Sequence, residues 1–299
     1  MAYNGAEFQN GKEALAAIPG VLAGWRTAGQ RRDHFDAGRG ITTITQRFTN
    51  SDQSRFAYEE LGRRTKGVPG EIPGYPDARV RVAVTKGGYV TQYMRAWLVR
   101  GDMLIHIEVT DPVSAHYDAA ANADIVKRFF DKQLEMLESY APTPVSELET
   151  LPLDVDGMVS RTLSVEKDTI GRVYPAQALE HLASRPDKLT PAMSDAGVDY
   201  ASFATGSVFR TRDPAAAVRY MAAEEADSTT DPKYTQVDGP PNMPGAHCYN
   251  TKPGEKFFAS TPPICITTVG RYVIKSVGAN IQDAHQRLAA QYKLLAGYN

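Results

Sequence analysis

His106 and Glu108 come nearest to an acid/base pair in this sequence. They stand two residues apart in the strand-like run Met103 to Val109, so an extended backbone places both on one face. There they would share a proton or jointly hold a metal. Such a pair more often lines the water-facing side of a half-exposed sheet, and that is the expectation adopted. A second chemistry-bearing face lies on the run Tyr89 to Arg100, where Tyr89, Tyr93, Arg95 and Trp97 alternate onto one side with Thr91 and Val99. Aromatic rings beside a guanidinium suit a glycan, a lipid headgroup or a peptide. The competing arrangement packs this face beneath a helix or against a second domain.

The remaining spacings lead away from catalysis. Gly5 to Lys12 has five residues between its glycines where a phosphate loop has four, Glu13 where Ser or Thr should meet magnesium, and no preceding strand. Asp154-Val155-Asp156-Gly157 opens like a calcium loop but lacks the later acidic ligands, so a turn is expected. His34, His106, His116, His181, His247 and His285 are scattered, and His285 is expected on the watery side of the last helix. With no GxSxG, HExxH or GxGxxG pattern, no catalytic residue, cofactor or metal is assigned.

Cys248 and Cys265 sit in neighbouring strand-like runs. A disulfide between them would close a loop of about 18 residues and stabilise the fold by about 3 kcal/mol in the chain-entropy model. Two buried free thiols are the other possibility. The disulfide is the expectation taken, and with it an oxidising, extracytoplasmic location. A formal charge of −2 over 299 residues supplies no general attraction to nucleic acid or anionic lipid. No apolar run reaches the roughly 20 residues needed to cross a bilayer. The first residues carry neither a basic n-region nor an apolar h-region, so no signal peptide is expected within this stretch.

These residues need elements to hold them. Leu15, Ile18, Leu22 and Trp25 predict a helix over 12–25, broken near Pro19-Gly20. Ile41 to Phe48 reads as a strand, and Ser51 or Asp52 as the cap of the next helix. Strands follow at Val80 to Val84, Tyr89 to Arg100 and Met103 to Val109, with turns at Gly87-Gly88 and Gly101-Asp102, and a helix from Ala119 to Tyr140. Pro142 to Pro152 reads as a linker. The order then restarts: a short helix from Pro175 to Ala183, Asp195-Ala196-Gly197 after the earlier Asp36-Ala37-Gly38, and a strand from Ala201 to Phe209. Asp213-Pro214 starts a helix whose counterpart would begin at Asp52. A polar loop from Asp227 to Pro244 precedes the cysteine strands, Tyr272 to Val277, and a closing helix capped by Asn280 with Ile281, Ala284, Leu288, Tyr292 and Leu295 on one face. The expected fold is therefore α+β. It comprises two related domains, 1–141 and 158–299 around a linker at 142–157, each an antiparallel sheet covered on one face by helices.

Cys265 with Val269-Gly270-Arg271-Tyr272-Val273, then Gln282-Asp283-Ala284-His285-Gln286 and Ala289-Ala290-Gln291-Tyr292, resembles the ending of an actinobacterial (mycobacterial and nocardial) family of secreted two-domain lipoproteins of unknown function. The resemblance implies an envelope location, a Cys248–Cys265 pairing and a lipid anchor on a longer precursor, absent from this chain. It brings no catalytic residues. The function expected is a non-enzymatic cell-envelope protein that binds a small molecule, lipid, glycan or protein partner, with no role for nucleic acid. The alternatives are an envelope glycan- or lipid-acting hydrolase or transferase using His106 and Glu108, and a structural assembly subunit.

Overall fold

The computed structural model describes residues 18–30, 38–87, 89–112, 118–164, 171–183, 185–229, 234–252 and 262–297. The chain divides into two compact units, Met1–Glu149 and Thr150–Asn299. In the first, β1 (Val21–Gln30), β2 (Gly40–Phe48), β3 (Val68–Gly70), β4 (Arg79–Gly87), β5 (Tyr89–Arg100) and β6 (Met103–Asp111) form one antiparallel sheet in the order β1-β2-β6-β5-β4-β3. Helix α1 (Ser51–Arg64) follows β2 and α2 (Ala119–Glu138) follows β6. The second unit adds β7 (Arg172–Pro175), α3 (Ala176–Leu179) and α4 (Pro186–Ala196), and then repeats the scheme. Its elements are β8 (Tyr200–Phe203), β9 (Gly206–Arg210), α5 (Pro214–Ser228), β10 (Tyr234–Val237), β11 (His247–Thr251), β12 (Ile264–Val269), β13 (Tyr272–Val277) and α6 (Ile281–Ala296). Its sheet order, β10-β11-β12-β13-β9-β8-β7, is that of the first sheet with β7 added at one edge.

The correspondence extends to single residues. Arg47 pairs with Met103 as Arg210 pairs with Tyr272. Phe48 N donates to Asp102 O at 2.8 Å as Thr211 N donates to Arg271 O at 2.9 Å. The helix caps fall in step: Asn50 accepts from Gln53 N at 3.0 Å and Asp213 from Ala216 N at 2.8 Å. Asn50, rather than Ser51 or Asp52, is thus the cap and the true counterpart of Asp213. The reason is backbone shape, since Asn50 is extended and the helix already runs from Ser51.

The architecture is the α+β pair read from the sequence, with one refinement: helices lie on both faces of each sheet. Trp97 and Leu104 pack with Phe48 under Ala57 and Leu61 of α1. Met94, Ala96, Leu98, Ile105 and Ile107 pack with Val126 and Phe130 of α2. Strand neighbours point to opposite faces, and here both sets are apolar, so one covering layer would leave a hydrophobic face in water. The second sheet is likewise sandwiched, with Ala284 and Leu288 of α6 on the cysteine-bearing face and α5 on the other.

Several elements differ from expectation. Of the predicted helix 12–25, residues 18–20 form a turn and the rest from Val21 is edge strand β1, registered against β2 from Val21↔Phe48 to Gln30↔Gly40; residues 12–17 lie outside the described set. The single strand expected over Ala201 to Phe209 is the hairpin β8–β9. Strands β3 and β10 fall within stretches expected as loops, Gly67 to Pro76 and Asp227 to Pro244, while β7 and helix α4 carried no expectation. The buried face of α6 uses Gln291 and not Tyr292: Gln291 Oε1 accepts from Leu163 N at 2.6 Å and its Nε2 donates to Arg161 O at 2.7 Å.

Candidate functional site

Helix α5 carries the candidate site. Asp213 caps it and Pro214 fixes its first turn, which sets the helical phase of the later turns. Tyr220, Glu224 and Asp227, spaced i, i+4 and i+7, then share a face turned toward the sheet. Below them lies a cavity of about 120 Å³ within the second domain. Its walls are apolar: Leu179 and Leu182 from α3 and the turn after it, Leu189 and Met193 from α4, and Phe203 and Phe209 from β8 and β9. Phe209 meets both Phe203 and Tyr220 edge-on, with ring centroids 5.7 and 5.3 Å apart. Polar groups gather at one end, where Glu224, Asp227 and Lys275 line the same space.

The electrostatics of that end are lopsided. Glu224 is buried; one oxygen accepts from the Tyr220 hydroxyl at 2.8 Å and the other lies 3.3 Å from Lys275 Nζ. Burial, and then the Glu224 carboxylate beside it, hold the Tyr220 phenol protonated well beyond its ordinary range. Lys275 is the cation in contact with Glu224, while Lys275, Arg185 and Lys188 act on Asp227 from beyond salt-bridge distance. Asp227 is half-buried and, among the described residues, in no ion pair. Burial and the nearby Glu224 raise its pKa, against the opposing pull of Lys275, Arg185 and Lys188. An apolar chamber with few convergent polar groups is the ordinary construction of a small-ligand pocket.

Among the described residues, those singled out from the sequence do not come together around this cavity. His106 is buried rather than water-facing, its ring stacked on Trp97 at 5.0 Å. Burial, reinforced by Arg95, lowers its pKa to about 3, so the imidazole is neutral. Glu108 is taken by Arg95, whose guanidinium lies 5.2 Å from the Tyr93 ring. Trp97 is wholly buried beneath α1, and this corrects its place on a ligand face. The Tyr89 side chain, His34, His116 and Gly5 to Lys12 lie outside the described residues. Cys248 and Cys265 face each other across β11 and β12 and form the disulfide. His285 is half-buried and not solvated: its Nε2 is sealed from water, and a ring nitrogen lies within 4.8 Å of both sulfurs. With the sulfurs bonded to each other, neither is a thiolate that would ligate a metal.

Two matches with known families respect the same two-part division. Residues 5–153 match a domain of unknown function (DUF7373) N-terminal, and residues 158–298 the domain of unknown function (DUF7373) C-terminal. The chain belongs to the DUF7373 family. No curated protein matches it. Among solved structures, the extracellular domain of PknH from Mycobacterium tuberculosis is similar at 13% identity, covering 43% of this chain and 74% of that one with a TM-score of 0.32. A likeness that low transfers nothing.

In this DUF7373 chain the copies diverge where the cavity lies. Counting from the caps Asn50 and Asp213, Leu61 of the first copy corresponds to Glu224 and Arg64 to Asp227. Counting from the turns Gly101-Asp102 and Gly270-Arg271, His106 corresponds to Lys275. The first copy therefore holds one apolar core residue, one exposed cation and a buried imidazole at these places, and the second holds two carboxylates and a lysine. Sequence reasoning missed these residues. The usable signal was Tyr220, Glu224 and Asp227 on the inward face of a capped helix, where Leu61 stands in the other copy.

Proposed function

We propose that this chain is a non-enzymatic extracytoplasmic protein that binds a small amphipathic ligand in the cavity beneath α5. The observation that carries this reading is the cavity itself: aliphatic and aromatic walls closed at one end by Tyr220, Glu224, Asp227 and Lys275. The Cys248–Cys265 disulfide supports an oxidising compartment, where such bonds persist. A cell-envelope setting, an actinobacterial source and a lipid anchor on the precursor rest on the resemblance of the Gly270 to Tyr292 ending alone. Binding is favoured over acid/base catalysis because His106 is held neutral against Trp97 and Glu108 is occupied by Arg95.

The test is thermal unfolding of the full chain with 1-hexanol, a neutral probe with an apolar body. A ligand that binds only the folded state raises stability by about 2.7 kcal/mol at roughly one hundred times its Kd. A concentration-dependent rise in Tm is expected for the parent and not for Met193→Trp, which fills the chamber. A parent Tm indifferent to hexanol and to its amine and carboxylate analogues would discard the reading.

A further inference from the structure

The site's charge and size together narrow what it accepts. Its walls are apolar over Leu179, Leu189, Met193, Phe203 and Phe209, so the ligand's body must be apolar as well. A dry cavity of about 150 Å³ holds one benzene, so a chamber of about 120 Å³ takes roughly six carbons. At its polar end the hydroxyl of Tyr220 and the ammonium of Lys275 are both turned to Glu224. The Tyr220 donor is thus committed within the protein, as is one of the three N–H groups of Lys275. The acceptor capacity left over belongs to Asp227, whose charge no described residue pairs. An entering carboxylate or phosphate would add an anion beside Glu224 and Asp227, where Lys275 is the cation among the lining residues and Arg185 and Lys188 act from outside that lining. An ammonium would instead give Asp227 a partner in direct contact, and charges buried in pairs are far less costly than charges buried alone.

The first copy shows that this acidic end is not a requirement of the fold. Its equivalents of Glu224 and Asp227 are Leu61, buried in the core, and Arg64, ion-paired with Glu60 at 2.9 Å. The sheet order, caps and turns are kept while the charge at this place is changed, so the acid belongs to the cavity and not to the scaffold.

We infer that the ligand is a small cationic amphiphile, an aliphatic or arylalkyl primary amine whose ammonium sits at Asp227 and whose body lies against Leu189, Met193 and Phe209. This rests on the cavity being a binding site, and it goes further by naming the ligand's charge. Calorimetric titration of the full chain at neutral pH and low salt, with hexylamine, 1-hexanol and hexanoate as probes, tests it. Hexylamine is expected to bind roughly tenfold or more tightly than hexanol, the usual worth of a charge-assisted contact, and hexanoate more weakly than either. Asp227→Asn should remove the amine's advantage, so that hexylamine and hexanol bind the variant alike. Because it deletes a poorly solvated charge, that variant is expected to fold at least as well as the parent, which circular dichroism checks. Hexanol or hexanoate binding as tightly as hexylamine, or amine binding indifferent to Asp227→Asn, overturns the inference while the cavity reading survives. Failure of all three probes overturns both.

Discussion

An imidazole buried against Trp97 behaves unlike one in water, and its titration should be visible in the stability of the whole fold. His106 has an ordinary pKa of 6.5 and a folded value of about 3, lowered first by burial and then by Arg95. Between those values the unfolded chain binds a proton that the folded chain refuses. Stability therefore falls as pH drops from about 6.5 toward 3, by up to about 1.4 kcal/mol per pH unit. His106→Phe keeps a ring against Trp97 and removes the titration. Urea unfolding at about pH 7 and pH 5 should show the variant losing about 2 kcal/mol less than the parent across that interval. Asp227 is the opposite case. Its pKa is raised by burial and by Glu224, so the folded state binds the extra proton and stability falls as pH rises through the interval above its ordinary 3.8. The charged carboxylate therefore costs the fold stability, and Asp227→Asn is expected to move the urea midpoint upward even as it weakens amine binding.

At the scale of elements, the two helices that come after β2 and β9 are started by equivalent side chains. Replacing Asp213 with Ala removes the acceptor for Ala216 N and should cost about 1 kcal/mol, read as a lower urea midpoint with unchanged slope. Trp97→Ala leaves a void beneath α1 and should cost about 3–5 kcal/mol, the range for a buried aromatic and far above that for a surface ligand contact. Asp213-Pro214 was readable because cap and first-turn proline stand together. Asn50 was not, because Ser51 and Asp52 beside it are equally good capping types and only the backbone angle separates them. Strand β1 was hidden for a related reason: Ile18, Leu22 and Trp25 have helical spacing, and their conformation is settled by pairing with β2, outside the local pattern.

For the molecule as a whole, duplication and the disulfide govern behaviour. Cys248 and Cys265, 17 residues apart in sequence, tie β11 to β12, the second and third strands from the β10 edge of the second sheet. Reduction, or the double change Cys248→Ala and Cys265→Ala, is expected to cost about 3 kcal/mol, measured by urea unfolding with and without a dithiol. The loss should fall on the second domain, so near-ultraviolet signals from Trp97 in the first should persist where those of the second have gone.

Repetition of element types, the cysteine pair and the absence of a catalytic pattern could all be read from the chain alone, because turns, β-branched runs and capping residues act over a few neighbours. Where Trp97 and His106 reside, how many helix layers each sheet carries, and that Glu224, Asp227 and Lys275 meet at one end of a cavity were settled only by packing. Side chains from α5 and β13 lie about fifty residues apart in sequence, and local preference carries no information about which distant surface will cover them. Burial is a property of the assembled layers, and charge acquires its meaning in this protein from what those layers leave unpaired.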